Sequence, residues 1–397
     1  MSVVKVTEDV YAIGASDRDG KKLFERLFPI PEGVAYNSYF ISDEKTAVLD
    51  GAASEVEDDY FVNLKTALGG RPLDYIVLNH LEPDHGAAIG RLIKTYPEAR
   101  LVGNPKTKTI LSSYVCDDAV SDMLVVCEGE ELKLGKHTLK FIMTPMVHWP
   151  ESMMCYDESD KILFSQDAFG AFGAEGDEIF DDKDFDDERL EKMRRYYANI
   201  VGKYGAQVSA VLKKAAGLGI KTICPVHGLV IRKHIGEVLR LYTLWSGYLP
   251  EEKGVLVVYA SMYGHTAALA KEAYEKLKET GVNAVLFDVS ETDTSYLVSG
   301  VFRFSNVLAA SVTYNAGIYP KMEYFLNDLK ALNVQNRAFS FVESGSWAIS
   351  SGKLMREKAE SLKNCRIVGD TVTLKAASYD KAAFDKLIAD IAADVKA

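Results

Sequence analysis

Apolar and polar positions alternate in short bursts through the first part of the chain. "DVYAIG", "NSYFISD" and "TAVLDGA" follow one another with little between them, and each reads as a strand. Longer apolar runs come later: "DYIVLN", "ARLVGN", "LKFIMTP", "KILFSQD" and "KTICPV". Helix-period stretches lie among them, such as "AAIGRLIKTY" and the long run from "DERLEKMRRYY" to "VLKKAAG". Many strands with interleaved helices predict two sheets sandwiched by helices. The last third has a different rhythm. "VLVVYA", "NAVLFDV", "NVLAAS", "RAFSFV" and "CRIVGD" alternate with helical stretches, the βα pattern of a doubly wound parallel sheet. Between these regimes "HIGEVLRLYTLWSGYL" reads as a helix. "PEEKG" then punctuates the chain at Pro250 and Gly254. The pattern predicts domains at 1–249 and 254–397, joined by a linker at about 247–254.

Composition narrows the setting. The 397 residues are 48% hydrophobic and 26% charged, enough apolar mass for two cores. A formal net charge of -11 argues against nucleic acid or an anionic membrane as partner. The opening "MSVVKVTEDVYAIG" carries early charges and no long apolar run, so neither a signal peptide nor an anchor is expected. Five cysteines, Cys116, Cys127, Cys155, Cys224 and Cys365, are scattered without C-x-x-C spacing. That disfavours a disulfide framework or a cysteine-ligated metal and suits a reduced, cytoplasmic setting.

The densest chemistry is "NHLEPDHGAA", with His80, Glu82, Asp84 and His85 in six positions. On one helix His80 and Glu82 would point to different faces, and Pro83 disfavours a helix there, so the group is expected on a loop. The plain reading is a polar loop with Asp84 capping the next helix. Other ligand-type residues sit in the same place relative to strands. His148 follows "LKFIMTP", Asp167 follows "KILFSQ" and His227 follows "KTICPV". Ends sharing one rim of a sandwich would bring all seven together. Four imidazoles and three carboxylates exceed one tetrahedral zinc. They suit two metals with a bridging carboxylate, and non-haem iron in particular. His137 and His234 read as structural or surface residues.

"H-L-E-P-D-H" with later His148, Asp167 and His227 resembles the metallo-β-lactamase fold, and Glu82, where that fold usually has histidine, is similar to the flavodiiron proteins. "PEGVAYNSY", "HWPESM", "YYANI" and "PVHG" match that family too. The resemblance runs over essentially the whole chain. It implies an N-terminal metallo-β-lactamase-like αββα sandwich and a C-terminal flavodoxin-like doubly wound sheet. It also implies two irons, one on His80, Glu82 and His148, the other on Asp84, His85 and His227, with Asp167 bridging. A tyrosine, Tyr196 or Tyr197, is expected near them, and Trp149 as a wall of the pocket.

In the last third, "YASMYGHTAALAKEA" follows a strand and opens a helix, presenting backbone N–H groups to an anion. The loop is similar to the flavodoxin phosphate loop, so Ser261, Met262, Tyr263, Gly264, His265 and Thr266 are expected around an FMN phosphate. Two further strand ends supply Thr313, Tyr314, Asn315 and Gly317, and Ser344, Gly345 and Trp347, for the flavin ring. Val312 stands where the family commonly has proline, and "ESGSW" replaces a more usual glycine- and tyrosine-containing loop.

A diiron set fused to a flavin domain implies an oxidoreductase reducing dioxygen to water, nitric oxide to nitrous oxide, or both. A separate donor such as rubredoxin would feed it electrons. The resemblance further implies a head-to-tail homodimer or a dimer of dimers. Two rivals are a zinc-dependent hydrolase with an accessory flavodoxin-like domain, and a plain electron carrier with a structural metal.

Overall fold

The computed structural model describes residues 3–18, 23–115, 118–174 and 178–397, so Cys116 lies outside the described residues. Two compact units emerge: Met1–Tyr197 with Ala206–Tyr242, and Ala198–Gly205 with Thr243–Ala397. The division at 242/243 precedes the linker read from Pro250 and Gly254. Trp245 and Tyr248 are buried, and Tyr248 is bonded through its hydroxyl to Asn333 and through its carbonyl to Arg337. The last turn of the helix Ile235–Ser246 thus packs with the second unit rather than the first.

The first unit holds two facing sheets. One has seven strands, ordered Val4–Lys5, Val10–Ala12, Tyr39–Ser42, Thr46–Leu49, Tyr75–Val77, Arg100–Gly103, Leu124–Val125. Its first four strands pair antiparallel and its last four parallel. The other is a meander of Glu131–Lys133, Thr138–Met143, Met153–Asp157 and Ile162–Gln166, to which Thr222–Pro225 adds in parallel. One apolar core joins their inner faces. Tyr39, Ile41, Leu49 and Val77 meet Leu139, Phe141, Met153 and Phe164. Alternation of side chains across each strand makes this possible, since every second residue points inward.

The second unit is a parallel sheet ordered Ala284–Asp288, Glu252–Ala260, Phe304–Tyr314, Ala338–Gly345, Arg366–Ile367, with Val372–Lys375 also beside Ala338–Gly345. Val255, Val257, Leu308 and Val342 pack against Leu269, Ala273 and Leu277 of the helix His265–Glu279. Phe384, Leu387 and Ile391 of the helix Lys381–Lys396 complete that layer. The chain reverses direction across the sheet beside Glu252–Ala260, the position where open α/β sheets bind ligands.

Among the described residues, Cys127, Cys155, Cys224 and Cys365 are free thiols, and no helix is long and apolar enough to cross a membrane.

Candidate metal centre and flavin site

The four ligand-bearing strand ends of the first unit do converge. Ligand atoms of His80, Glu82, His148 and Asp167 lie within 4.8 Å of one another, and so do those of Asp84, His85 and His227. His80 and Glu82 lie on the expected loop. Pro83 does not keep the rest out of helix. Pro83–Gly86 form one helical turn with Pro83 at its first position, where its missing N–H is not needed. That turn carries Asp84 and His85.

The hydrogen bonds decide what the cluster wants. His80 Nδ1 donates to Glu151 Oε1 at 2.9 Å, which leaves Nε2 as the ring nitrogen turned to the cluster. Nε2 faces Asp167 Oδ2 at 3.1 Å and Glu82 Oε2 at 3.3 Å, two carboxylate oxygens. His227 Nδ1 donates to the Ala35 carbonyl at 2.8 Å, and its Nε2 faces Asp84 Oδ2 at 3.1 Å. His148 Nε2 is 2.9 Å from Glu82 Oε2, and His85 Nε2 is 3.2 Å from Asp84 Oδ1. Asp84 Oδ1 and Asp167 Oδ2 are buried without a hydrogen bond. Buried carboxylates and imidazoles this close need positive charge among them, as protons or as metal ions.

The charges agree. Burial works against the charged form of His80, yet Asp167, Glu151 and Glu82 outweigh it and hold its pKa well above the ordinary value. Burial likewise opposes His85, which Asp84 and Asp167 bring up to about 9. Burial would raise Glu82, but His148 and His80 bring it down to about 2. The pocket favours positive charge, which metal ions supply.

Asp167 spans both groups. Its Oδ2 faces His80 and His148, at 3.1 and 3.6 Å, and its Oδ1 faces His85 and His227, at 3.3 and 3.6 Å. The Tyr196 hydroxyl donates to Oδ1 at 2.8 Å. Tyr197, next along, packs instead on the Tyr242 ring, 5.0 Å between centroids. Trp149 stands edge-on to His80 at 5.4 Å. Rings of Phe24, Tyr36 and Tyr196 surround His227 within 5.5 Å. A cavity of about 500 Å³ opens beside the group, lined in part by Phe24, Glu25, Tyr36, Glu82 and Asp84.

Two supporting residues escaped the sequence reading. Glu151 lies inside "HWPESM" and looks like any loop carboxylate until His80 is seen beside it. Asn37, inside "YNSY", donates to the carbonyls on either side of the His227 segment. Of the other histidines, His137 is buried on Asp157 Oδ2 at 3.0 Å. It forms a third ligand-type group with Asp157 and Asp160, beside which Lys136 pairs with Asp9 and Asp160. His234 bonds the Lys183 carbonyl.

In the second unit the helix His265–Glu279 begins at Gly264, whose φ is 92°, and no side chain caps it. Its first-turn N–H groups are thereby left to an anion. Ser261 Oγ accepts from Gly264 N, and Thr266 Oγ1 meets Ser344 Oγ at 2.7 Å, tying this loop to the next strand end. Met262, Tyr263, His265, Tyr314, Asn315 and Trp347 are exposed around it, and Thr313, Gly317 and Gly345 are half-buried. Uncapped donors, hydroxyls and large aromatic faces fit FMN.

Comparison with known proteins extends the match beyond the site. Residues 34–228 match the family described as ODP family beta lactamase, and residues 257–384 match flavodoxin. Rubredoxin-oxygen oxidoreductase of Megalodesulfovibrio gigas is 30% identical over 90% of this chain and 89% of its own. Nitric oxide reductase of Moorella thermoacetica is 29% identical over 91% and 90%. The rubredoxin oxygen:oxidoreductase structure from Desulfovibrio gigas superposes with TM-score 0.91 at 28% identity, covering 100% of this chain and 99% of that one. The flavodiiron protein of Giardia intestinalis gives 0.88 at 26%, covering 100% and 96%. This chain belongs to the flavodiiron family. It is therefore an oxidoreductase, and its cofactors are a diiron centre and FMN. A flavodiiron protein uses both halves, so a zinc hydrolase with an idle flavodoxin-like domain is not favoured.

Proposed function

We propose that this protein reduces dioxygen to water, nitric oxide to nitrous oxide, or both, within residues 1–249, with electrons passed through FMN held by residues 254–397. The observation that carries the reading is the facing of ring nitrogens and carboxylates around Asp167. His80, Glu82 and His148 would hold one iron and Asp84, His85 and His227 the other, with Asp167 shared. Bound there, two ferrous ions and a reduced flavin supply up to four electrons, enough for one dioxygen or for two pairs of nitric oxide.

The chain's own groups set the conditions. Tyr196 keeps its proton on Asp167 Oδ1 and fixes that carboxylate. Phe24 and Tyr36 give the cavity an apolar side next to His227, and Trp149 packs edge-on against the His80 ring. Ser261 to Thr266 hold the flavin phosphate. Tyr314, Asn315 and Gly317, with Ser344, Gly345 and Trp347, border the ring. A rubredoxin-like protein supplies electrons, and the working form is a head-to-tail homodimer in a reducing, cytoplasmic setting. The scattered cysteines, free where described, support that compartment.

The test is parallel anaerobic titration with each gas, on protein of measured iron and FMN content. Reoxidation of the reduced flavin with loss of gas is expected. Protein loaded with both cofactors that consumes neither gas overturns the reading.

A further inference from the structure

The two metal positions differ in how their ligands are backed. On the first, His80 is supported by Glu151, whose side chain is fully buried. Glu151 Oε1 accepts both His80 Nδ1–H at 2.9 Å and the Leu81 N–H at 3.0 Å. A carboxylate behind an imidazole withdraws positive charge from the ring and makes its far nitrogen a stronger donor. On the second position, His227 is backed only by the neutral Ala35 carbonyl, and His85 Nδ1 is buried without a hydrogen bond. Neither ring nitrogen donates to a carboxylate as His80 does, although the buried Asp50 acts on His85 through space.

The shared carboxylate is lopsided in the same sense. Asp167 Oδ2, which faces His80 and His148, accepts no hydrogen bond. Oδ1, which faces His85 and His227, gives electron density to the Tyr196 hydroxyl. Each position has one further carboxylate, Glu82 or Asp84, so charge count does not separate them. The backing does.

We infer that the two metal positions are unequal, the His80–Glu82–His148 position binding its divalent ion first and more tightly, with Glu151 as the positioning residue responsible. The inference rests on the metal-site reading above and adds an order of loading to it. Tyr196 works in the opposite direction from Glu151: its proton weakens the second position.

Anaerobic titration of the full chain, freed of metal by chelator, tests this with cobalt(II) followed by visible absorption and with ferrous iron against a competing chelator. The unaltered protein should take up two ions in two steps, the first about tenfold tighter or more. Glu151→Gln keeps the acceptor for His80 but removes the charge. It should weaken the first step by about 10- to 100-fold and leave the second in place. Tyr196→Phe should tighten the second step by about threefold and leave the first unchanged. A gain of affinity cannot come from misfolding, so this variant keeps the test sharp if Glu151→Gln folds poorly. Two equal steps in the unaltered protein, or a Glu151→Gln effect on the second step or on both alike, overturn the inference. Gas consumption is measured separately. Unequal ion binding without turnover overturns the functional reading alone, and turnover with equal sites overturns this one alone.

Discussion

Asn37 holds Gly228 in place: its side-chain amide donates to the Gly228 carbonyl at 2.8 Å and to the Pro225 carbonyl at 3.0 Å. The bonds reach from the lip of one sheet to the loop that closes the other, and His227 lies between the two acceptors. Asn37→Ala would strand the buried Gly228 carbonyl and leave that of Pro225 to the Tyr39 hydroxyl alone, at 2.7 Å. Stability should fall by about 2 kcal/mol or more, read from urea unfolding of metal-free protein. Iron content should fall from two towards one per chain. A full complement of iron would show that the loop holds itself.

Glu82 is the residue by which the proposed iron preference can be tested. A third imidazole on the His80–His148 position would favour zinc, and a carboxylate favours iron. Glu82→His should raise the zinc-to-iron ratio of protein grown with both metals, measured by elemental analysis. Flavin content should stay as it was. An unchanged ratio would mean that the rest of the pocket sets selectivity.

Gly264 tests the flavin loop. A Cβ built there meets nothing within 4 Å, so space is no obstacle, but φ of +92° is left-handed backbone. Alanine costs about 1–2 kcal/mol in such a conformation. Gly264→Ala should therefore let the loop relax and weaken FMN binding roughly fivefold or more, followed by flavin fluorescence. Riboflavin, lacking the phosphate, should be affected far less.

His137 gives a pH dependence remote from the metals. Burial lowers its pKa, but Asp157, then Asp160 and Asp9, outweigh that and leave it raised. Lys136 also sits on this cluster, 2.8 Å from Asp9 and 3.8 Å from Asp160. The folded state therefore holds the proton more tightly than the unfolded one. The stabilisation is complete below an unfolded pKa of about 6.5 and is lost as pH rises through the folded value. Urea midpoints should decline across that window, and His137→Gln should flatten the decline.

Arg337 is buried, and its hydrogen bonds go to backbone carbonyls rather than to a carboxylate, with Glu251 acting on it only through space. Its guanidinium donates to the carbonyls of Val301, Tyr248, Gln335, Asn336 and Phe302, at 2.6–3.3 Å. Burial brings its pKa down to about 10. Arg337→Ala removes the side-chain donor from all five carbonyls, of which Tyr248's keeps Asn336 Nδ2 at 3.4 Å, and should cost about 3 kcal/mol or more. Loss of FMN should precede loss of iron as urea increases.

The parts of this molecule legible in its sequence are those where one residue type reports its own role. Seven ligand-type residues after four strands could be read directly, because strand ends and metal ligands each have a local signature. The strand-to-helix turn before His265–Glu279 was legible for the same reason. Glu151 was not, because its role is a distance to His80 across seventy positions. Nor did sequence separate Tyr196 from Tyr197. Adjacent residues on a helix point about 100° apart, and only packing shows which faces Asp167. Pro83 misled because the same ring that breaks a helix interior is welcome at its first position.

The spacing of the ligands has a consequence for how the protein is made. The chain emerges from its N-terminus, so "HLEPDH" appears first and alone. The set of His80, Glu82, His148 and Asp167 is complete once residue 167 has been synthesised. The set of Asp84, His85 and His227 waits for residue 227. The order in which the two sets are completed along the chain is therefore the same as the order of affinity inferred for them.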